Sequence, residues 1–537
     1  IKSQGVGLLS TASFKGLSSI NMPVLIDGYG LQSSMNGSLD LSLLSGIHFG
    51  GAQLKQEYND ATQTSNLGDA INLGLGEDYA NDIASIGYST LRNLEVGVRL
   101  HRHSKKRSSS NVTSIGYSEL RNHFNLPYRG FQDILSRSPG RKLSIRGKNN
   151  AVIGKVNWQT TLFVLTANRK LPRSLFALNY GQQIDNSILV GNLINFKRKW
   201  QHSYRNQLWF EQINFGSEVA GINSVSNSYN LNQNYQIKRP LEDKQWVALG
   251  IANKNTFYTS SEIGEDVAWL RLRGYGAYKK SFIKSYLTAS GQIQGHRAKL
   301  YTSSTINYVL RKDQSKFSFG LRKTYRLPVL NELYWYEPGY AFGNDSLQAE
   351  QGYALDVTWD KKFKNLFLSI NPFAGYYNNL IQWLPNNGII TPINQRRLLN
   401  YGALGKLVYT KTFKRIQFEF VQNLNLTSSQ YIDKGDEATY KKYQIFTPLL
   451  TSNTVMTLSN NRFSGYVTYQ VISRNYTATD NSSSLDPYAL LDAGFGLKIK
   501  KSQLSINCNN ILNVAYFTVP NQPLPGLNIN INFTYNI

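Results

Sequence analysis

The chain closes on Asn528-Ile529-Asn530-Ile531-Asn532-Phe533-Thr534-Tyr535-Asn536-Ile537. Every second residue is apolar, and the residues between are Asn or Thr. Successive side chains of an extended backbone point to opposite faces, so this is a strand with one greasy and one polar face. The period of two recurs upstream. Phe317, Phe319 and Leu321 alternate with Ser318, Gly320 and Arg322. Ile416, Phe418 and Phe420 alternate with Gln417 and Glu419. Phe463, Val467, Tyr469 and Val471 share one parity, against Ser464, Thr468 and Gln470. Amphipathic helical stretches of comparable length are hard to find.

Strand-like segments run from about residue 85 to the end, and no Pro-rich or Gly/Ser-rich linker divides them. A soluble β-sandwich would also alternate, but a chain this long would split into several domains. Short basic turns, Asp360-Lys361-Lys362-Phe363-Lys364, Lys411-Thr412-Phe413-Lys414-Arg415 and Lys498-Ile499-Lys500-Lys501, contrast with long polar loops at 427–441 and 474–487. That asymmetry is expected of an outer-membrane barrel. Roughly 20 residues per strand with its connection predicts an all-β, transmembrane antiparallel barrel of about 22 strands. Sixteen strands is the alternative and needs longer loops.

Composition narrows the classes. The 537 residues carry 58 Lys+Arg against 33 Asp+Glu, a net charge of +25, with 12% aromatics and a single Cys. One Cys forms no internal disulfide and no Cys-rich metal site. The aromatics argue against disorder and suit the interfacial girdles of a barrel. No apolar run is long enough for a transmembrane helix. No signal peptide is visible at Ile1. A propeller or solenoid would show a period of 40–50 residues, and none is found. The segment Ser85–Asn93 does match Ser114–Asn122 at eight of nine positions. Two copies read as two similar strands.

Motifs along the chain resemble those of TonB-dependent outer-membrane receptors. Ser13-Phe14-Lys15-Gly16 is similar to that family's S-x-R-G segment, with Lys for Arg. Val24-Leu25-Ile26-Asp27-Gly28 reads as a short buried strand ending in a turn, and Gly68-Asp69-Ala70-Ile71-Asn72-Leu73 resembles the stretch that closes the family's plug. Tyr325-Arg326-Leu327-Pro328-Val329-Leu330-Asn331-Glu332-Leu333-Tyr334-Trp335, followed by Gly343-Asn344 and Leu347-Gln348-Ala349-Glu350, resembles its barrel signature. Val329 and Ala349 replace the usual Thr and Pro. Tyr377–Trp383 with Pro392-Ile393-Asn394, and Asn509–Tyr516 with Pro523–Gly526, resemble later parts of the barrel, although the chain ends on Ile537 rather than Phe. The resemblance implies residues 1–80 as the C-terminal portion of a plug domain, N-terminally incomplete, and residues 81–537 as the barrel.

Signals of enzymatic chemistry are poor. No nucleophile elbow, zinc helix or phosphate loop occurs. His101 and His103 share a strand face but are two ligands only, flanked by Arg102, Lys105, Lys106 and Arg107. Neither a metal, a cofactor nor an enzymatic activity is expected. Basic residues are scattered over turns without a nucleic-acid motif, so no nucleic-acid partner is expected. They fit barrel rims beside anionic lipid or lipopolysaccharide, with a share in the lumen for anionic solutes. The candidate ligand contacts are the aromatic cluster Tyr334, Trp335, Tyr336, Tyr340 and Phe342, together with Trp383, Arg396 and Arg397. An interfacial girdle explains those aromatics equally well.

The resemblance implies import across the outer membrane of a Gram-negative bacterium. The ligand would be a scarce metal chelate or vitamin, such as an iron–siderophore, haem or cobalamin, and the TonB-ExbB-ExbD complex would supply energy through the plug. A surface lipoprotein is a further candidate partner. Two other readings stand beside this: a receptor-fold barrel serving as a non-transporting subunit of a surface or secretion complex, and a passive porin.

Overall fold

The computed structural model describes the whole chain except residues 1, 4, 6–8, 56–65, 75–80, 105–107, 125–137, 172–180, 197, 218–220, 243, 264–265, 338–340 and 387. Twenty-two antiparallel strands close into a barrel. The first, Ile83–Ser89, pairs with the last, Asn528–Asn536, placing Tyr88 opposite Ile531 and Ile83 opposite Asn536. Closure pairs the backbone of the first strand with that of the last, as a strand wall in hydrocarbon requires. The terminal alternation is realised directly. Ile529, Ile531, Phe533 and Tyr535 project outward, Ile531 with 49% of its surface exposed, while Asn530 and Asn532 take the inner parity. Phe317, Phe319 and Leu321 are exposed in the same way.

The two ends of the barrel differ. At one end strands turn tightly, as between Phe413 and Ile416 or between Ile499 and Ser502. At the other lie the long connections from Arg326 to Glu350, Tyr431 to Leu450, Ile472 to Tyr488 and Asn509 to Asn528. The loop expected at 427–441 begins later, because the strand Ile416–Tyr431 keeps its pairing with Ile389–Phe413 through Tyr431. Polar inward residues such as Thr427 and Ser429 resemble loop composition, yet they face the lumen. The tight-turn end collects lysines and arginines over exposed or half-buried aromatics. Lys411 lies 4.7 Å from the Phe413 ring, Lys238 4.3 Å from Trp246, and Arg239 4.8 Å from Trp200. Long basic stems against aromatic rings suit a boundary between hydrocarbon and headgroups.

The described residues that precede Ile83 include a segment packed inside the lumen. Val24–Ile26 and Tyr29–Gly30 form a hairpin whose turn, Asp27-Gly28, has φ of +51° and +85°. Two positive φ values are the signature of a type I′ turn, which suits Asp-Gly. Ala70–Gly74 runs parallel to Val24–Ile26, and Gly51–Lys55 completes the four-stranded sheet. One face packs Val24, Ile26, Leu31 and Leu43 on the barrel's Phe163, Leu165, Leu189 and Trp209. Tyr29 sits over Gly191, where a Cβ would lie 2.6 Å from the ring. A second cluster joins Leu17 and Leu67 to Tyr377, Leu380, Leu398 and Tyr431. The repeated segments fall on the strands Ile83–Ser89 and Ser109–Leu120. Gly116 of the second copy lies under Ser45 and Ile47 of the inner segment, and Gly87 of the first lies beside Asn532.

Candidate functional site

The inner segment is fastened to the wall by buried ion pairs. Lys15 lies 3.2 Å from Asp69 and also pairs with Asp356. Arg322 completes a square of alternating charges, 2.7 Å from Asp69 and 3.1 Å from Asp356. The turn that lifts Asp27 out of its hairpin delivers the carboxylate to Arg146 at 2.6 Å and Lys148 at 2.8 Å. Asp40 accepts from the backbone amides of Ser10 and Ser42, and its second oxygen meets Arg169 at 2.6 Å. His48 is fully buried, its Nδ1 2.8 Å from Ser114 Oγ and its Nε2 2.7 Å from Ser144 Oγ. Burial and the nearby Arg146 charge push its pKa down to about 4, so it bridges two wall hydroxyls as a neutral ring.

The Arg326 motif forms a separate brace. Its guanidinium makes a two-pronged contact with Glu332 at 2.9 and 3.0 Å, and its Nε meets Glu350 at 2.6 Å. Glu332 also accepts the Val329 amide at 3.0 Å, which caps the short helix Leu330–Tyr334. Glu350 accepts the Ile381 amide at 2.8 Å. All three side chains are buried. The motif therefore fixes the start and end of the long Arg326–Glu350 connection and orients the helix that carries Tyr334.

Tyr334 joins residues that the sequence reading did not single out. Its ring is 6.1 Å from Trp269, which packs edge-on against His296 at 5.3 Å. Arg297 donates to the Tyr334 hydroxyl and lies 5.6 Å from the Trp269 ring, and Arg271 lies 4.7 Å from it. The available signal was parity: Trp269, Arg271 and Arg273 occupy alternate positions of the strand Val267–Ser281 and so share its inner face. The other candidates part company with Tyr334. Trp335 is half-buried at the helix end. Tyr336 and Phe342 pair at 5.1 Å across a small hairpin, which touches the strand Ile389–Phe413 through Ala341 and Ile390. Trp383 takes the parity opposite to Gln382, whose amide donates to the Tyr431 hydroxyl, and is exposed. Arg397 is exposed, and its carbonyl accepts the Ile432 amide. Tyr340 and the Arg396 side chain lie outside the described residues.

Between the braces, one sector of wall stands off from the inner segment. The strands from Gln201–Ser217 to Ser285–His296 bound a cavity of about 120 Å³ that opens to solvent. Leu25, Gly28 and Gly30 line its inner side, and Arg205, Lys254 and Arg271 its outer side.

No family model matches the sequence, and no curated protein matches it in a sequence search. Comparison with solved structures gives full-length likenesses at low identity. The apoprotein of the FrpB iron transporter from Neisseria meningitidis (F5-1 variant) has a TM-score of 0.79 at 10% identity, with 99% of this chain and 94% of that chain covered. The siderophore receptor PirA from Acinetobacter baumannii has a TM-score of 0.78 at 12% identity, covering 100% and 94%. The copper transporter OprC has a TM-score of 0.80 at 10% identity, covering 100% and 93%. The chain has the fold of TonB-dependent receptors.

Proposed function

We propose that this protein is an active importer of the outer membrane of a Gram-negative bacterium, with residues 1–80 acting as a plug domain and 81–537 as the barrel. The observation that carries the reading is a closed barrel filled by its own N-terminal segment and fastened to it by buried ion pairs at Asp27, Asp40 and Asp69. A lumen of this strand number is wide enough to leak, and a filled one passes solute only when the filling moves. Movement against several buried ion pairs requires work, which a TonB-ExbB-ExbD complex would deliver through the plug. Likeness to iron, siderophore and copper transporters supports a metal or metal-chelate cargo, an iron–siderophore first and haem or cobalamin after it. The aromatic and arginine cluster at Trp269, Arg297 and Tyr334 is the first contact we assign to such a ligand.

The test is uptake in an outer-membrane-competent host lacking its own receptors. Cells carrying the protein should accumulate radiolabelled ferric siderophore, haem or cobalamin, and a protonophore should abolish accumulation. Uptake that survives the protonophore supports a passive pore. Absence of uptake for every such cargo supports a non-transporting subunit.

A further inference from the structure

The lumen wall treats its cations in two ways. Arg146, Arg169, Arg322 and Arg326 each meet a carboxylate within hydrogen-bond distance. Arg271 does not. Among the described residues it makes no hydrogen bond and no ion pair, its Nε is buried without a partner, and its guanidinium rests on the Trp269 face. Among the described residues Lys254 has one hydrogen-bond contact, a long one of 3.5 Å to Ser34 Oγ. The carboxylate facing it belongs to Glu211, which is held by the Ser33 hydroxyl at 2.9 Å. Both cations line the cavity, and Arg205 and Arg273 line it with them.

The rest of the lining is amide-rich. Asn232 and Asn253 donate amide hydrogens to Gln207 and Gln233 at 3.4 Å, so these four lining amides are tied to one another. Gln294 uses its oxygen to accept from Tyr325 at 2.7 Å, which leaves its amide hydrogens for another acceptor. A second chamber of about 80 Å³ shares Gln32, Ser34, Lys254, Arg271 and Gln294 with the first and reaches Trp269 and Tyr325. The two chambers therefore adjoin at these side chains, between the inner segment and the strand that carries Trp269. Arg271, with no carboxylate partner among the described residues, Lys254, whose facing carboxylate is engaged by Ser33, and the Gln294 amide together raise the local concentration of anions and repel cations.

We propose that this space is a subsite for a compact, multiply charged anion carrying carboxylates or phosphates, selected by Arg271 and Lys254. The proposal rests on the import reading for the source of the anion, and not for the binding itself.

Site-directed labelling tests it with the full chain. Cys508 is the sole cysteine, so Cys508→Ser provides a clean background, and Ala252→Cys places one thiol in the cavity lining. A negatively charged methanethiosulfonate should modify this thiol at least about tenfold faster than a positively charged one of similar size, after correction for intrinsic rates. Citrate as the probe anion should slow the reaction. Adding Arg271→Gln and Lys254→Gln should bring the two rates together and remove the citrate effect. The Arg271→Lys variant, which keeps the charge, should retain the preference and exclude a folding defect. Equal rates in the parent, a preference that survives both neutral substitutions, or a thiol inert to both reagents would each overturn the proposal. Uptake plays no part in the readout, so failure of import and failure of the subsite are separate results.

Discussion

Arg322 and Arg271 are both arginines on the inner face of one barrel, and they live in opposite environments. Arg322 is locked between Asp69 and Asp356 with Lys15 closing the square. Arg271 faces open space with an indole at its back. The difference is where the inner segment places carboxylates. Asp27, Asp40 and Asp69 all point to the paired sectors, whereas the stretch facing the cavity offers Gly28, Gly30, Gln32 and Ser34. One side of the lumen thus holds the inner segment, and the other leaves room beside it.

The largest expected effect falls on the holding side. Asp69→Asn leaves Lys15 and Arg322 short of a buried counter-charge, which should destabilise the docked segment by about 3–5 kcal/mol. Denaturant titration of the purified protein, followed by protease access to the inner segment, reads this out. The outer surface gives an independent scale. Ile531→Arg puts a charge on the lipid face and should cost about 2–4 kcal/mol near the midplane, while Asn530→Arg on the inner parity should cost far less. Refolding titrations into lipid vesicles compare the two, and equal effects would mean that the facing is wrong.

His48 adds a pH dependence to the holding side. Its pKa of about 4 in the docked state lies below the ordinary value near 6.5, so the undocked state binds more protons between them. Docking should be fully stable above about pH 6.5 and weaken as pH falls through the window, by at most about 3 kcal/mol near pH 4. The slope of stability against pH measures it, and His48→Gln should flatten that slope. The smallest effect belongs to the cavity side. Arg271→Gln breaks no ion pair and should change stability by less than about 1 kcal/mol. A loss as large as that of Asp69→Asn, in the same titration, would erase the contrast between the two sectors.

Much of the fold was legible because period two is a local property. The alternation from Asn528 to Ile537 gives both faces of the last strand without any partner being known. Asp27-Gly28 announced its turn for the same reason. The Arg326, Glu332 and Glu350 signature could be recognised as a motif, but its role as a brace depends on a contact 24 residues apart. The Arg322–Asp69 pair spans 253 residues, and no spacing rule reaches that far. The Trp269 cluster lay between these cases. Its parity was visible, yet the neighbours His296, Arg297 and Tyr334 arrive from other strands and from the helix. The aromatic run from Tyr334 to Phe342 looked like one site and is divided, because the helix end turns Tyr334 to the lumen while the small hairpin carries Tyr336 and Phe342 toward the next strands.

The proposed function requires a barrel that its own inner segment keeps closed until work is done on it, and conductance in a planar bilayer tests that most directly. The native protein should insert and remain nearly silent under a steady voltage. A large, steady conductance from the native protein would contradict the account.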